Sequence, residues 1–481
     1  MGKNLVGKLV CIFQLIVSVT LMGVIMFGGM VPTKYIVAGS VVLLVGFALT
    51  MGLQFAGNKM HVFGMIVSVL ISAVCVFGTY SLLRVDSAMQ KTGGATYKTD
   101  NMVVIVKQSD PAQELADAQN YRFGKQTVAD QENTGLMVQK INETVGREIN
   151  VTDYATVQEL AQALLNGEIE AAIYNDAFNG VLDEVIEGYT DQVKVLYQYG
   201  INTKIEVKEE NIDVDNAKPY SKDTFSFYIS GIDVAGAITN NSRSDVNIIA
   251  TVNTKTKQIL LTSTPRDYYV PLPNVSGGQR DKLTHAGIYG VDVSMNTLGE
   301  LYGIQIPYYA RVNFTSLIKI VDTLGGVDVN SEYAFDTRGC SFKQGMNHLN
   351  GEQALVFARE RYSFQAGDNQ RGRNQEAVLT AMIQKAMSPA ILANANELLT
   401  QVSSSVETNM TQEDIAGLIK MQLSDNASWN IVSANAVGTG DKTTCFSMGS
   451  MNVYVMWPDE NSVAQISQKM QQVINGEVIS E

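Results

Sequence analysis

Three apolar runs without a charged residue dominate the start of the chain, over residues 9–30, 36–55 and 62–83, with Gln14 and Gln54 as isolated polar interruptions. Each is long enough to cross a hydrocarbon core of about 30 Å as a helix rising about 1.5 Å per residue. One such run would also suit a buried core helix; three in succession predict a membrane anchor over residues 1–90. A cleavable signal peptide does not fit, because two further spans follow the first. Lys3, Lys8 and Lys59 fall on one side of the spans and Lys34 and Arg84 on the other. That bias favours a cytoplasmic N-terminus and places everything after the third span outside the cell.

The charge splits with the anchor. Residues 1–90 carry five basic residues against Asp86, whereas the rest of the 481-residue chain carries 30 basic and 47 acidic residues, a net charge of −17. Proteins that bind nucleic acid gain affinity by neutralising phosphates with Lys and Arg, so no nucleic-acid partner is expected. Cysteine is sparse. Cys11 and Cys75 lie in spans, where they serve as small apolar fillers. Cys340 and Cys445 would be outside, where a disulfide can persist, and both a bond between them and two free thiols are open readings. With three histidines and no CxxC or HExxH pattern, zinc chemistry is not expected.

Beyond the anchor, residues 84–100 are polar and aperiodic and read as a linker. Strands at 102–107, 171–174 and 193–197 alternate with a helix at 157–165 closed by Gly167, which predicts a small α/β accessory domain over 98–212. It carries no catalytic pattern. The segment VQELAQALLNGEIEAAIYN bears a weak likeness to half of a solute-binding protein, but a spacer or docking module is the plainer reading. The charged stretch 206–222 marks a boundary. A larger α/β domain follows over 221–481. FSFYIS reads as an apolar strand, and VNIIATV and QILLTS as a hairpin across NTKTK. Helices are predicted at 316–324, 351–357 and 374–387. A central mixed sheet in an α-β-α layered arrangement is expected, with its motif-bearing core at 224–385 and a helix-rich part at 386–481 that adds one strand at 452–458.

The chemistry concentrates in this larger domain. Arg359, Arg361, Arg371 and Arg373 fall within fifteen residues of an otherwise acidic region. If FARER is a strand end, Arg359 and Arg361 share a face. If a helix starts near Asp368, Arg371 and Gln375 lie one turn apart. The planar guanidinium fork grips phosphate in a bidentate way that lysine cannot match, and a helix N-terminus adds partial positive charge. A solvated salt-bridge surface is the alternative. Upstream, Ser230-Gly231-Ile232-Asp233, Arg243-Ser244-Asp245 and Thr264-Pro265-Arg266-Asp267 each place charge at a strand end, where α/β sheets hold ligands. Asp233 and Asp245 suit one Mg²⁺, which takes one or two carboxylates plus ligand phosphate oxygens. GTGDKTT at 438–444 lacks the phosphate-loop spacing. No nucleophile elbow is present, and His285 is expected to be structural.

Taken in order, YISGID, NSRSDVNIIATVN, TSTPRD, KLTHAGIYG, ARVNFTSLIKIVDTLGGVDV, LNGEQALVFARER and GDNQRGRNQE resemble the LytR-CpsA-Psr (LCP) family over residues 224–385. With three spans and an accessory domain, the chain looks most like the capsule-biosynthesis members of streptococci. The resemblance implies an α-β-α fold with an apolar tunnel for polyprenyl phosphate. It implies Mg²⁺-dependent (or Mn²⁺-dependent) transfer of a glycan phosphate, here capsular polysaccharide, from undecaprenyl diphosphate to peptidoglycan as a phosphodiester, with pyrophosphatase as a side activity. The partners it implies are the lipid-linked glycan, peptidoglycan, the membrane of a Gram-positive cell and other capsule assembly proteins. Carried over by residue, Asp233 and Asp245 match metal and diphosphate positions, and Arg243, Arg266, Arg359, Arg361, Arg371 and Gln375 match head-group positions. Asp245, Arg266 and Arg243 are the catalytic candidates, Asp245 as base or as metal ligand but not both. Where many members have a DFGRxQRQQ-like run this chain has DNQRGRNQE, which leaves the register of Arg371 and Arg373 open. Tunnel-lining candidates are the apolar positions of 317–324 and 378–387, which suit a packed core equally. A non-enzymatic sensor of polyprenyl-linked intermediates, signalling through three spans where one would anchor, is the rival reading. A DNA-binding attenuator is opposed by topology and charge.

Overall fold

The computed structural model describes residues 5–27, 31–56, 59–92, 97–127, 130–204, 223–232, 241–388, 401 and 405–480. Asp233 lies outside them. The three apolar runs form helices Leu5–Phe27, Thr33–Leu53 and Met60–Thr92, each with a segment long and apolar enough to cross a membrane. Most of their large apolar side chains point outward, as lipid-facing helices require. Inside the bundle, the Thr50 hydroxyl donates to Gln14 Oε1 at 2.9 Å, so the isolated polar residues join two helices. The expected linker at 84–100 is corrected. The third helix runs on to Thr92 and a strand begins at Tyr97. Helix extension adds one hydrogen bond for each residue fixed, and SAMQKT offers good helix formers before Gly93-Gly94.

A five-stranded sheet follows, in the order Asn150–Tyr154, Arg122–Gln126, Ala171–Asn175, Tyr97–Lys107, Val193–Lys204. The helix Val157–Asn166 packs on it and ends at Gly167, whose φ of 81° suits glycine. The short helix Asn179–Val185 leads away from the sheet's strand Ala171–Asn175. The hydrophobic cluster on this side also takes in Ile288, Cys445 and Met448 from much later in the chain.

The second sheet has six strands, in the order Glu407–Thr408, Tyr308–Asn313, Thr224–Ile232, Ser244–Asn253, Gln258–Ser263, Asn430–Asn435. Tyr308–Asn313 and Asn430–Asn435 pair in parallel with their inner neighbours and the central pairs are antiparallel, so the sheet is mixed. Strand alternation sends Tyr228, Ile249 and Leu260 to one face, packed with helices Val291–Tyr302 and Glu460–Asn475. Phe225, Ile248, Ile259 and Leu261 go to the other, toward helices Asp368–Ala386 and Gln412–Asp425. Helices thus cover both faces, giving the expected α-β-α layering. The helix-rich reading of 386–481 needs correction: besides its helices this part supplies both edge strands of the central sheet, Glu407–Thr408 and Asn430–Asn435, and the hairpin Gly438–Thr443 with Val453–Pro458.

Candidate functional site

The apolar sheet face does not close on its helices. A cavity of about 560 Å³ lies between them. Its floor is Phe225, Phe227 and Ile229 with Ile248, Ala250 and Val252, three apart-by-two positions from each of two neighbouring strands. Leu317 and Ile320, and Val378, Leu379, Met382, Ile383, Ala386 and Met387, form walls, so both predicted lining segments reach it. The sequence reading missed the sheet floor and the wall from Leu418, Met421 and Trp429.

A polar pocket adjoins one end of this cavity, and Gln375 lines both. The pocket gathers Asp245, Arg266, Asp368, Arg371 and Asn435. The reason is topological. Ser244–Asn253 starts where Gln258–Ser263 and Asn430–Asn435 end, and the helix Asp368–Ala386 begins over that edge. Arg266 Nη1 donates to Asp245 Oδ2 at 3.0 Å, and the Thr284 hydroxyl donates to Oδ1 at 3.1 Å. Burial alone would raise the Asp245 pKa; Arg266, Arg243 and Arg371 outweigh it and hold the carboxyl below its ordinary value. Burial opposes the charge of Arg266, but Asp245, Asp267 and Asp368 more than restore it. The Arg266 Nε–H is buried without a hydrogen-bond acceptor. Arg371 pairs with Asp368 at 2.6 Å, and burial together with Arg266 and Arg361 holds its pKa below the usual arginine value. Half-buried cations crowded in this way, one with an unused donor, can take an anion rich in oxygens.

The other predicted residues are spread around this centre. Arg371 faces the pocket, whereas Arg373 turns away to Glu332 at 3.1 Å. FARER is not a strand end: the helix Gly351–Arg359 closes there, so Arg359 and Arg361 do not share a strand face. Arg359 lines the cavity with its guanidinium 4.1 Å from the centre of the Phe314 ring, and Arg361 donates to the exposed Tyr362 hydroxyl at 2.6 Å. Arg243 bonds Glu184, from the neighbouring unit. Glu184 carries no signal in the sequence. Lys282, Thr284 and Asn435 were also missed as site residues, although Lys282 and Thr284 stand in the quoted KLTHAGIYG.

Of the two predicted ligands for a divalent cation, Asp245 is the one among the described residues. It is a hard oxygen ligand whose two oxygens each accept one protein hydrogen bond, leaving lone pairs, and the remaining ligands of Mg²⁺ are ordinarily water and phosphate oxygens. The donor chemistry fits. His285 does not join the pocket: its Nδ1 lies 2.7 Å from Asp281 Oδ1, both fully buried. Asp281 also accepts from the Ser447 N–H and hydroxyl, and Cys445 lies beside the pair. Both Cys445 and Cys340 are free thiols, in different hydrophobic clusters, so the disulfide reading is not met.

The LytR_cpsA_psr family model matches residues 185–472, and the chain belongs to that family. It is similar to a protein of Enterococcus faecalis named polyisoprenyl-teichoic acid–peptidoglycan teichoic acid transferase TagU, at 35% identity over 211 residues, which is 43% of this chain and 67% of that one. The protein of the same name from Bacillus mycoides is 36% identical over 208 residues, with the same coverage of 43% and 67%. Among solved structures, TagV of B. subtilis is 27% identical, with 54% of this chain and all of that one covered and a TM-score of 0.46.

Proposed function

We propose that this protein is a membrane-anchored phosphotransferase that moves a glycan phosphate from a polyprenyl diphosphate carrier to peptidoglycan, with capsular polysaccharide as the glycan. The observation that carries the reading is the junction at Gln375, where a pocket of half-buried arginines adjoins an apolar cavity. A lipid diphosphate has the same two halves. Its chain gains about 0.8 kcal/mol for each CH₂ withdrawn from water, which favours the cavity. Its head group meets Arg266 and Arg371, with Arg359 and Gln375 at the junction. The names of the Enterococcus and Bacillus relatives, transferases acting on a polyisoprenyl-linked polymer and peptidoglycan, support the same reaction class.

In the transfer, the acceptor hydroxyl oxygen forms a bond to the phosphorus that bears the glycan, the bond from that phosphorus to the bridging oxygen breaks, and polyprenyl phosphate leaves, its freed oxygen taking up the proton that the hydroxyl gives up. Such a displacement needs alignment and charge neutralisation more than covalent help. Arg266 and Arg371, fixed by Asp245 and Asp368, supply both from this chain. Mg²⁺, held by Asp245 with Asp233, would add charge neutralisation at the phosphate oxygens. A carboxyl held below its ordinary pKa is a weak base, which favours the metal-holding role for Asp245 over proton abstraction. The three spans keep the site outside the cell and beside the bilayer that carries the donor.

The test uses the full chain in cells and in proteoliposomes. Asp245→Ala and Arg266→Ala should reach the membrane at normal levels and lose polymer linkage to peptidoglycan by at least about 100-fold, the scale of losing one charge-stabilising group. If the linkage persists and only polymer amount changes, the protein is a sensor instead.

A further inference from the structure

Arg243 does not line the polar pocket, and what holds it comes from the five-stranded unit. The helix Asn179–Val185 presents Gly180 and Glu184, one turn apart, to the same guanidinium. A Glu184 oxygen accepts from Arg243 Nη1. The other carboxylate oxygen accepts from Lys282 Nζ at 3.2 Å. The guanidinium lies flat on Gly180: a Cβ placed there would come within 2.9 Å of Arg243 Cζ, Nε and Nη2. Lys282 is buried and continues the chain of charges to Asp267 at 3.5 Å, which in turn lies 3.7 Å from Arg266 Nε. Arg266 bonds Asp245. Alternating charges therefore run unbroken from Glu184 to the carboxylate at the centre of the pocket.

We propose that the five-stranded unit is a working part of the head-group site, and that Glu184 is a positioning residue that fixes Arg243 and Lys282 at the edge of the pocket. The inference rests on the function proposed above. Arg243 stands two residues before Asp245 and shares the Glu184 carboxylate with Lys282, so the clasp ties it to the run of charges that ends at Arg266 and Asp245. Partial desolvation opposes the charge of Glu184, and Lys282 and Arg243 outweigh it. A charged pair fixed before the ligand arrives spares the ordering cost of a free arginine side chain. Gly180 fits the same account: a helical position where alanine would favour the helix keeps glycine, because a methyl group would push the guanidinium aside.

The test compares Glu184→Gln, Gly180→Ala, Arg243→Gln and the double variant Glu184→Gln/Arg243→Gln in the full-length protein. Two measurements are made: binding of pyrophosphate with Mg²⁺, and KM and kcat for transfer from a lipid diphosphate donor in proteoliposomes. Glu184→Gln should weaken binding and raise KM by about tenfold, with kcat changed less than KM. Gly180→Ala should do the same at an undiminished melting temperature, which separates displacement of Arg243 from unfolding. In the Arg243→Gln background, Glu184→Gln should have little further effect, since two residues acting as a unit are not additive. Wild-type binding in both Glu184→Gln and Gly180→Ala overturns the proposal. So does tighter binding in Glu184→Gln, which would make the carboxylate a competitor of the ligand. If the wild type binds but does not transfer, the proposed function falls, while the binding series still decides the role of Glu184.

Discussion

Arg371 and Arg373 stand two positions apart on one helix and serve opposite sides of it. A helix turns about 100° per residue, so the pair points some 200° apart and only the phase of the helix decides which one meets the pocket. That phase is set by contacts with the strand ends beneath, which is why the arginine cluster was legible in the sequence and its register was not. Glu376, the next position after Gln375, shows the same limit. It is 1% exposed, its Oε2 accepts from Asn435 Nδ2 at 2.9 Å, and its Oε1 has no partner. Burial pushes its pKa from 4.5 to about 8. The folded protein thus binds a proton that the unfolded chain releases. The resulting stabilisation is full below pH 4.5, falls by about 1.4 kcal/mol for each pH unit above it, and is gone beyond pH 8. Glu376→Gln keeps a neutral side chain of the same size. The wild-type melting temperature should therefore drop more steeply than the variant's between pH 5 and pH 8; parallel curves would refute the account.

Among the elements, those with strong apolar periodicity were readable. The hairpin of Ser244–Asn253 and Gln258–Ser263, the helix Val157–Asn166 and the three spans all occur close to their predicted places. The strand Asn430–Asn435 was not foreseen. Its sequence, NIVSAN, has too few apolar residues to announce a strand, and it forms because an inner strand offers it a parallel ladder. The cavity shows the same division. Two of its helical walls were candidates once the family resemblance implied a tunnel, whereas the wall from Leu418 and Met421 was missed and its floor depends on which face each strand turns to the helices. Leu379 projects into it from the helix Asp368–Ala386. Leu379→Trp should occupy that space, leave the melting temperature at or above the wild-type value, and reduce retention of polyprenyl phosphate in native mass spectrometry by at least about tenfold, the loss expected for a few excluded methylenes. Undiminished retention would argue that the chain lies elsewhere.

For the whole molecule, the contrast between a basic anchor and an acidic remainder was visible in composition alone. Contacts between distant segments were not. The hydrophobic cluster that joins Val157, Leu160 and Phe178 to Cys445 and Met448 spans nearly the length of the described chain beyond the membrane helices. It also decides the fate of the thiols. Cys445 is 4% exposed, and burial, reinforced by Asp281, pushes its pKa well up. Cys340 is half-buried on a separate hairpin. Native protein should accept a maleimide at Cys340 before Cys445, and reductant should leave the melting temperature unchanged. A shift on reduction would reveal a bond that this fold does not form.

The cavity beneath the central sheet has one more consequence. Side chains that elsewhere would seal a domain from within leave room for a guest, and any guest that binds only the folded form adds to stability in proportion to the logarithm of its abundance. A hydrocarbon chain seated there would complete the interior as a borrowed side chain does. In the reading proposed above, the cell's supply of lipid carrier then governs not only how fast this protein works but how long each copy survives surveillance by envelope proteases.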